Sequence, residues 1–316
     1  RVMMDAGLPP GVINFLPGPA SVVGDTCLAS SNLAGIHFTG STGVFRQLWR
    51  EVGERIASYR SYPRIVGETG GKDFILAHPD CDKDALVVAL LRGAFEFQGQ
   101  KCSAASRAYV PASVWASIKD SYVAEVNRIE VGDVSKAGVY MGAVIDQKAF
   151  DSITGAIQRA ADDDGCDIVT GGTWDDTTGW FIQPTTIVCS DPMYETMQVE
   201  LFGPVLSIHV YEDADFERMI GVVDSTSEYA LTGSIFATDR RHVETAMAGL
   251  RYAAGNFYIN DKPTGAVVGQ QPFGGARGSG TNDKAGSPLN LLRWVSPRSI
   301  KETFAPPTDW TYPFLG

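Results

Sequence analysis

Apolar residues along this chain recur at two spacings, which predict alternating strands and helices. Short runs rich in β-branched residues are typical of strands, and longer amphipathic stretches between them are typical of helices. The predicted strands are Val12 to Leu16, Gly35 to Phe38, Arg64 to Val66, Phe74 to Ala77 and Arg107 to Val110. This alternation favours a parallel sheet in an α/β fold.

The helical spacing is clearest between Ser41 and Tyr59, where apolar residues recur every three or four positions opposite charged ones. The same spacing predicts helices from Asp82 to Phe97 and from Ala112 to Arg128. The glycine-rich segment from Thr264 to Gly286 predicts a surface loop that lets the backbone approach a ligand closely.

The two ends of the chain have their own patterns. Arg1 to Gly7 is typical of the end of a helix that glycine closes, so we expect the chain to begin in mid-domain. Trp294 to Phe304 predicts a last strand, followed by a proline-rich tail.

Composition narrows the class of protein. With 316 residues, of which 44% are hydrophobic and 20% charged, the chain is long enough for one large domain or two ordinary ones. The net charge of -11 argues against non-specific nucleic-acid binding. No run approaches the roughly 18 apolar residues of a membrane span, so none is predicted.

Cysteine and histidine usage indicates a reducing compartment and no metal site. The cysteines are odd in number and form no Cys-x-x-Cys pair, and the histidines are too dispersed along the chain for a metal cluster. The residues concerned are Cys27, Cys81, Cys102, Cys166, Cys189, His37, His78, His209 and His242. We interpret the cysteines other than Cys102 as packing residues.

Two residues are candidates for covalent chemistry. Cys102 follows a glycine-containing turn and precedes small polar residues, which indicates an accessible thiol. Glu68 lies upstream in Glu68-Thr69-Gly70-Gly71-Lys72, at the end of a predicted strand. A carboxylate in a partly apolar site can have its pKa raised toward neutrality and act as a general base.

Two further motifs suit a nucleotide. Phe38-Thr39-Gly40-Ser41-Thr42-Gly43 joins a strand to a helix N-terminus, where free N–H groups favour a phosphate. Gly40 allows a tight turn, and Ser41 and Thr42 can cap the helix and donate to a pyrophosphate. The Glu200 carboxylate, in Glu200-Leu201-Phe202-Gly203-Pro204, can accept hydrogen bonds from the hydroxyls of a ribose.

The Glu68, Cys102 and Glu200 motifs, in this order, resemble those of the aldehyde dehydrogenase superfamily. There they supply the general base, the nucleophile and the nicotinamide-ribose clamp. The resemblance implies a thiohemiacetal and a thioester on Cys102, with Glu68 activating water. It also implies NAD as cofactor, at Gly40, Ser41, Thr42, Gly43, Val44, Glu200 and Phe202.

The resemblance further implies an aldehyde dehydrogenase-like α/β architecture. Residues 1–69 would be part of a Rossmann-type dinucleotide-binding domain, residues 70–282 the catalytic thiol domain, and residues 283–316 an oligomerisation arm. Such arms pair with the sheet of a partner subunit, so a homodimer or a higher homo-oligomer is implied.

The segments Thr264 to Arg277, Ser279 to Gly286 and Ser296 to Thr303 resemble the pyrroline-5-carboxylate dehydrogenase branch of this superfamily. That branch oxidises L-glutamate γ-semialdehyde to L-glutamate with NAD in proline breakdown. The implied substrate contacts are Ser103, Gly265, Ala266 and Phe273. The implied location is the mitochondrial matrix for a eukaryotic source and the cytoplasm for a bacterial one.

Two departures leave alternatives open. Ala266 stands where some relatives carry serine, and the family's oxyanion-hole asparagine, adenosine-side lysine and first strands are expected ahead of Arg1. The Cys102 N–H would remain as an oxyanion donor. The chain is therefore interpreted as an N-terminally truncated enzyme, active or with only a structural role. A Cys102 hydrolase or acyltransferase is less favoured, because no histidine lies near Cys102 in sequence.

Overall fold

A seven-stranded sheet forms the centre of the computed structural model, which describes residues 1–316. The strands β1 to β13 are Gly35–Thr39, Arg64–Glu68, Asp73–Ala77, Ala105–Pro111, Cys166–Thr170, Trp174–Asp175, Phe181–Ile182, Thr185–Cys189, Val205–Tyr211, Tyr229–Ala230, Thr232–Phe236, Asn256–Ile259 and Ala276–Arg277. The helices α1 to α10 are Val2–Asp5, Ala20–Ala29, Thr42–Glu54, Lys83–Phe95, Ala112–Val126, Gln147–Ala161, Glu195–Gln198, Phe216–Ser225, Arg240–Gly249 and Pro288–Leu292. Short 3₁₀ turns are Ile56–Ser58, Glu96–Gly99, Asp213–Asp215 and Pro313–Leu315.

The main sheet has the order β12-β11-β3-β4-β9-β8-β5. Neighbouring strands run parallel except at one edge, where β5 is antiparallel to β8. All five residues of β3 are buried, as expected for a strand covered on both faces. The predicted parallel α/β sheet is confirmed.

Side-chain alternation along β3 divides the core between the two faces of the sheet. Phe74 and Leu76 belong to one buried cluster, and Ile75 and Ala77 belong to the other. Helices α4 and α5 pack on the face of Ile75, whereas α6, α8 and α9 pack on the face of Phe74. The sheet is therefore a rigid support for the loops at its ends.

A separate two-stranded sheet, β1-β2, lies ahead of the main sheet in the chain. Its strands are parallel, and α3 packs Phe45 and Val52 into a small cluster with Ile65. Residues near the C-terminus return to it, because the Arg293 guanidinium donates to the Ile65 carbonyl at 3.1 Å. The Trp294 ring also lies near His37.

Two predicted strands are wrong. Val12 to Leu16 and Trp294 to Phe304 contain no strand. The side chains of Phe15 and Phe304 are exposed. No strand of this chain lies beside either segment to form a hydrogen-bonded ladder with it. An apolar pattern without a ladder partner does not make a strand.

The helix predictions are confirmed, with shorter ends. The helix that was predicted from Ser41 to Tyr59 ends at Glu54, and the one predicted to reach Phe97 ends at Phe95. The second helix stops because Phe97 and Gln98 adopt left-handed backbone angles, with φ of 54° and 56°. At the N-terminus, α1 ends before Gly7, whose φ is 93°.

Two of the histidines that are dispersed along the chain, His78 and His242, lie side by side in the fold. Their rings stack with centroids 3.6 Å apart. The two residues follow neighbouring parallel strands, β3 and β11, so the sheet brings together what the chain separates.

None of the helices is both long enough and apolar enough to cross a lipid bilayer.

We expect Leu90→Ala to lower the free energy of unfolding by about 2–5 kcal/mol, because Leu90 is fully buried in α4 and its loss leaves a cavity. Val88→Ala on the same helix, where the side chain is 49% exposed, is the control and should cost less than about 0.5 kcal/mol. Urea unfolding of both variants measures the difference. Equal losses would contradict the described packing of α4.

Candidate active site

Most of the residues predicted to carry chemistry line one cavity of about 890 Å³. The cavity lies between the β1-β2 sheet, the loops before β3 and β4, the loop before β9 and the glycine-rich segment after β12. Its lining residues are Thr39, Gly40, Ser41, Glu68, Thr69, Gly70, Gln100, Lys101, Cys102, Ser103, Glu200, Phe202, Thr264, Gly265, Ala266, Val268, Gln271, Phe273, Ala285 and Gly286. Thr42, Gly43 and Val44 are not among these lining residues and form the first turn of α3.

Cys102 lies in the turn between α4 and β4. Three consecutive residues that precede Cys102, Phe97, Gln98 and Gly99, have left-handed backbone angles, and the φ of Gly99 is 64°. A Cβ at Gly99 would collide with the Gly203 carbonyl oxygen, so glycine lets this turn pack against the Glu200 loop. Burial raises the pKa of the Cys102 thiol to about 12, and the nearby carboxylates of Asp73, Glu200 and Glu68 add to the rise. The thiol is therefore protonated at neutral pH in this arrangement.

Glu68 ends β2 and is held by the glycine-rich segment. The Thr69 N–H donates to the Ser279 carbonyl, and the Thr281 N–H donates to the Gly67 carbonyl, both at 3.0 Å. The Glu68 side chain is only 7% exposed, and neither carboxylate oxygen has a hydrogen-bond partner. Burial raises the pKa of Glu68 to about 7, against the opposing effect of the Lys284 charge. A carboxylate in this state can accept a proton near neutral pH.

Gly70 and Gly71 bring the three motifs into contact. The Gly71 N–H donates to a Glu200 carboxylate oxygen at 2.9 Å. A Cβ at Gly71 would collide with the Cys102 carbonyl oxygen, and a Cβ at Gly70 would collide with the other Glu200 oxygen. Two residues without side chains are therefore needed where the loops of Glu68, Cys102 and Glu200 meet.

The turn from β1 into α3 has the features of an anion-binding helix start. The Ser41 hydroxyl caps the helix by accepting from the Val44 N–H at 3.4 Å. The buried Thr42 hydroxyl instead donates to the Gly278 carbonyl at 2.9 Å and accepts from the Gly70 N–H at 3.3 Å. Thr42 thus holds the turn to the base loop, and Gly40 and Ser41 face the cavity.

These residues fit a dinucleotide. The N-terminus of the 13-residue helix α3 and the Glu200 carboxylate border the same cavity as Cys102. Free N–H groups at such a helix start suit a phosphate, and the fixed Glu200 carboxylate suits vicinal hydroxyls.

The opposite part of the cavity has donors for a small polar substrate. The Ser103 and Thr264 hydroxyls lie 2.8 Å apart, and Gly265 follows with a φ of 85°. The N–H groups of Gly265 and Ala266 donate to no backbone carbonyl. Phe273 lines the same region and is held by reciprocal hydrogen bonds with Ala285.

Sequence reasoning missed Lys284 and Thr264. The Lys284 ammonium donates to the Gly255 and Gly274 carbonyls at 2.6 and 3.1 Å, which positions its charge to lower the pKa of Glu68. Both residues stand in the glycine-rich segment that the sequence singled out. No spacing along the chain indicates that Lys284 lies near Glu68.

Comparison with known proteins agrees with this geometry. Residues 1–300 match the model of the aldehyde dehydrogenase family. The chain belongs to the aldehyde dehydrogenase family.

Among the relatives of this aldehyde dehydrogenase chain are several pyrroline-5-carboxylate dehydrogenases. The mitochondrial delta-1-pyrroline-5-carboxylate dehydrogenase of Dictyostelium discoideum is 53% identical over 317 residues, which cover all of this chain and 57% of that protein. The mitochondrial enzyme of Homo sapiens is 47% identical over 316 residues, which cover all of this chain and 56% of that protein. The chain thus spans little more than half the length of these relatives.

Solved structures show the same fold. The NAD-bound delta-pyrroline-5-carboxylate dehydrogenase of Mycobacterium tuberculosis superposes with a TM-score of 0.92 at 54% identity, over all of this chain and 58% of that one. The NAD-bound 1-pyrroline-5-carboxylate dehydrogenase from Thermus gives a TM-score of 0.83 at 34% identity, over 92% of this chain and 55% of that one. The aldehyde dehydrogenase-like α/β fold is therefore established for this chain.

The buried Glu68 makes stability depend on pH. Its folded-state pKa of about 7 lies above the ordinary value for glutamate, about 4.3, so the folded protein retains a proton that the unfolded chain has released. We expect the free energy of unfolding to fall as pH rises between these values, and Glu68→Gln to remove that part of the decrease. Urea titrations across this range measure it. Glu217→Gln, at an exposed position, is the control, and identical pH profiles for native protein and Glu68→Gln would contradict the assignment.

We expect Gly71→Ala to destabilise the fold by about 1–3 kcal/mol, because the new methyl group overlaps the Cys102 carbonyl. Gly53→Ala in α3 is the control, since a Cβ there meets nothing within 4 Å. The control should be neutral or slightly stabilising, as alanine favours a helix. Thermal and urea unfolding compare the two variants. A Gly71→Ala protein as stable as Gly53→Ala would show that the motifs do not meet as described.

Proposed function

We propose that this chain carries the thiol chemistry of an NAD-dependent aldehyde dehydrogenase that oxidises L-glutamate γ-semialdehyde to L-glutamate, a step of proline breakdown. The observation that carries the proposal is the junction of Glu68, Cys102 and Glu200 around Gly70 and Gly71 in one cavity. The names of the relatives support the substrate.

In the proposed first step, Cys102 adds to the aldehyde. The sulfur forms a bond to the carbonyl carbon, the carbonyl oxygen takes up negative charge, and a thiohemiacetal results. The Cys102 N–H donates to no backbone carbonyl and is available for that oxygen. Because burial holds the pKa of the thiol near 12, its proton must leave as the bond forms, and Glu68 is the carboxylate suited to accept it.

NAD, when bound, supplies the hydride acceptor that turns the thiohemiacetal into a thioester. Gly40, Ser41 and the start of α3 would hold its phosphates, and Glu200 and Phe202 would hold the nicotinamide riboside. The Gly71 N–H orients the Glu200 carboxylate for this role. Thr42 acts through the turn, since its hydroxyl is bonded to Gly70 and Gly278. Gly43 and Val44 would act through the backbone of the first turn of α3, in which they lie.

Glu68 completes the cycle. After it has released the thiol proton to solvent, it removes a proton from water, whose oxygen attacks the thioester carbon. The carbon–sulfur bond breaks, the sulfur takes up the proton held by Glu68, and the product leaves as a carboxylate after losing its own proton to solvent. The raised pKa of Glu68, about 7, suits this task at neutral pH. Lys284 keeps that pKa from rising further.

The substrate carboxylate would lie at Gly265 and Ala266. Their two N–H groups offer adjacent donors, and the Ser103 hydroxyl, paired with Thr264, adds a third. Phe273 would pack against the aliphatic part of the substrate. The absence of a hydroxyl at Ala266 leaves this contact to the backbone.

The wider assignments follow from this proposal. Residues 1–69 would serve the dinucleotide, residues 70–282 catalysis, and residues 283–316 assembly with a second copy. The several exposed aromatic side chains of the last segment, Phe304, Trp310, Tyr312 and Phe314, suit burial in a homodimer. Location would be the mitochondrial matrix in a eukaryote and the cytoplasm in a bacterium.

The test is NADH formation by this chain with NAD and glutamate γ-semialdehyde. We expect Cys102→Ala to abolish it. We expect Glu68→Gln to lower both the first turnover and the steady-state rate of NADH formation by about a hundredfold or more, since Glu68 accepts the thiol proton before hydride transfer and the water proton after it. Glu217→Gln is the matched control. NADH formation that survives Cys102→Ala would overturn the proposed roles.

Two other outcomes correspond to other functions. If the chain neither binds NAD nor oxidises the aldehyde, its role is structural or oligomeric. This alternative is considered because the chain spans only 57% of the Dictyostelium relative. Ester hydrolysis that needs Cys102 and does not respond to NAD would indicate a thiol hydrolase. No histidine lines the cavity with Cys102, so a Cys-His pair is not available to that alternative.

A further inference from the structure

A compact group of two imidazoles and one carboxylate lies far from the candidate active site. His78 follows β3, Asp80 lies in the turn before α4, and His242 lies in the first turn of α9. Glu68 and Gly71 precede β3, whereas His78 follows it, so the length of this strand, roughly 16 Å, separates the two sites. Nothing in the aldehyde dehydrogenase chemistry uses these three residues.

Both histidines turn the same ring nitrogen toward Asp80. His78 Nδ1 lies 2.7 Å from one carboxylate oxygen, and His242 Nδ1 lies 3.3 Å from the other. One possible ligand atom from each of the three residues lies within 4.8 Å of the others. We propose that His78, Asp80 and His242 form a binding site for a divalent zinc-type cation.

The backbone holds Asp80 in place without the histidines. Its two carboxylate oxygens accept from the Thr238 and Asp239 N–H groups, at 3.1 and 2.9 Å, and its carbonyl accepts from the Thr238 hydroxyl at 2.7 Å. The His78 N–H in turn donates to the Phe236 carbonyl at 2.8 Å. Two loops at the ends of neighbouring parallel strands are thus locked together, and the carboxylate is a preorganised ligand.

The ring arrangement leaves a small adjustment for binding. The imidazoles stack at 3.6 Å with an interplanar angle of 25°, and both Nδ1 atoms face the Asp80 carboxylate. Zinc–nitrogen bonds of about 2.0–2.1 Å require the two lone pairs to converge. His242 can turn to achieve this, since its side chain is 35% exposed. The His78 Nδ1 also accepts from the Asp80 N–H at 3.2 Å, so a Zn–N bond there would replace this hydrogen bond too. Any proton on an Nδ1 would move to Nε2 or to water.

The surroundings favour a cation with borderline ligand preference. Two imidazoles and one carboxylate suit zinc better than magnesium or calcium, and the exposed side of the group leaves room for water as a fourth ligand. The nearby carboxylates of Asp213 and Asp239 add negative charge. The Asp239 carboxylate is paired with Arg241. The buried Phe216 ring packs edge-on against His78 at 4.6 Å and shields one side.

The ordinary explanation of the group is a hydrogen-bonded cluster without metal, and calorimetry with Zn²⁺ separates the two. The Cys102→Ala chain is used throughout, so that the active-site thiol does not bind the ion. We expect a saturable zinc site that His242→Ala weakens at least roughly tenfold and that His37→Ala, at an exposed histidine outside the group, leaves unchanged. Zinc should also raise the melting temperature of the parent and of His37→Ala, but not of His242→Ala.

Equal zinc affinity and equal thermal shifts in His242→Ala and the parent would overturn the proposal, as would the absence of any saturable zinc site in the parent. If His242→Ala fails to fold, Co²⁺ absorption of the parent decides. Weak visible bands without thiolate charge transfer support the nitrogen and oxygen ligands. A thiolate band or no band contradicts them. None of these readouts depends on the proposed dehydrogenase activity.

Discussion

The close approach of backbone at Gly70 and Gly71 is the constraint on which the candidate active site depends. The Gly71 backbone lies against the carbonyl of Cys102, and its N–H donates to the Glu200 carboxylate. Glu68, the last residue of β2, comes two residues before Gly70. A side chain at either glycine would separate the loops of Glu68, Cys102 and Glu200. Two more glycines make similar close main-chain contacts nearby: Gly99 lies against the Gly203 carbonyl, and Gly280 lies against the Gly67 carbonyl. The site is thus assembled by loops that touch through main-chain atoms.

Buried charge gives this junction its chemistry. Three acidic side chains, Glu68, Asp73 and Glu200, lie near Cys102 and disfavour its thiolate. Beneath them Arg107 is almost fully buried, donating to the Lys72 carbonyl at 2.7 Å and to the Tyr109 hydroxyl at 2.9 Å. The hydrogen bond to Lys72 ties the residue before β3 to β4 under the site. The burial that raises the pKa of Glu68 to about 7 also raises the pKa of the Cys102 thiol.

The main sheet separates two kinds of loop. Those before β3 and β4 build the cavity, and those after β3 and β11 bring His78, Asp80 and His242 together. Each set is positioned by the same buried strands, because a parallel sheet places consecutive loop ends side by side. The fold therefore offers two sites that share a scaffold and no residues.

The regular elements were largely predictable, and the failures have one cause. The helix beginning at Ser41 and the strands around Phe74 and Arg107 have amphipathic or continuous apolar patterns that depend only on neighbours in sequence. Val12 to Leu16 has a similar apolar pattern but no strand beside it, and a pattern cannot supply a ladder partner. The early stop of α4 at Phe95 likewise reflects the turn that Gly99 makes against another loop.

The sequence by itself determined the identity of the chemical groups: a thiol at Cys102, a carboxylate at Glu68, a second at Glu200, and glycines where loops must touch. Tertiary structure decided what those groups can do. Burial of Glu68 and the placement of Lys284 near it set its pKa, Thr42 proved to bind backbone, and distant histidines became neighbours. Residue types are local information, whereas solvent exclusion and charge proximity arise only when segments far apart in sequence pack together.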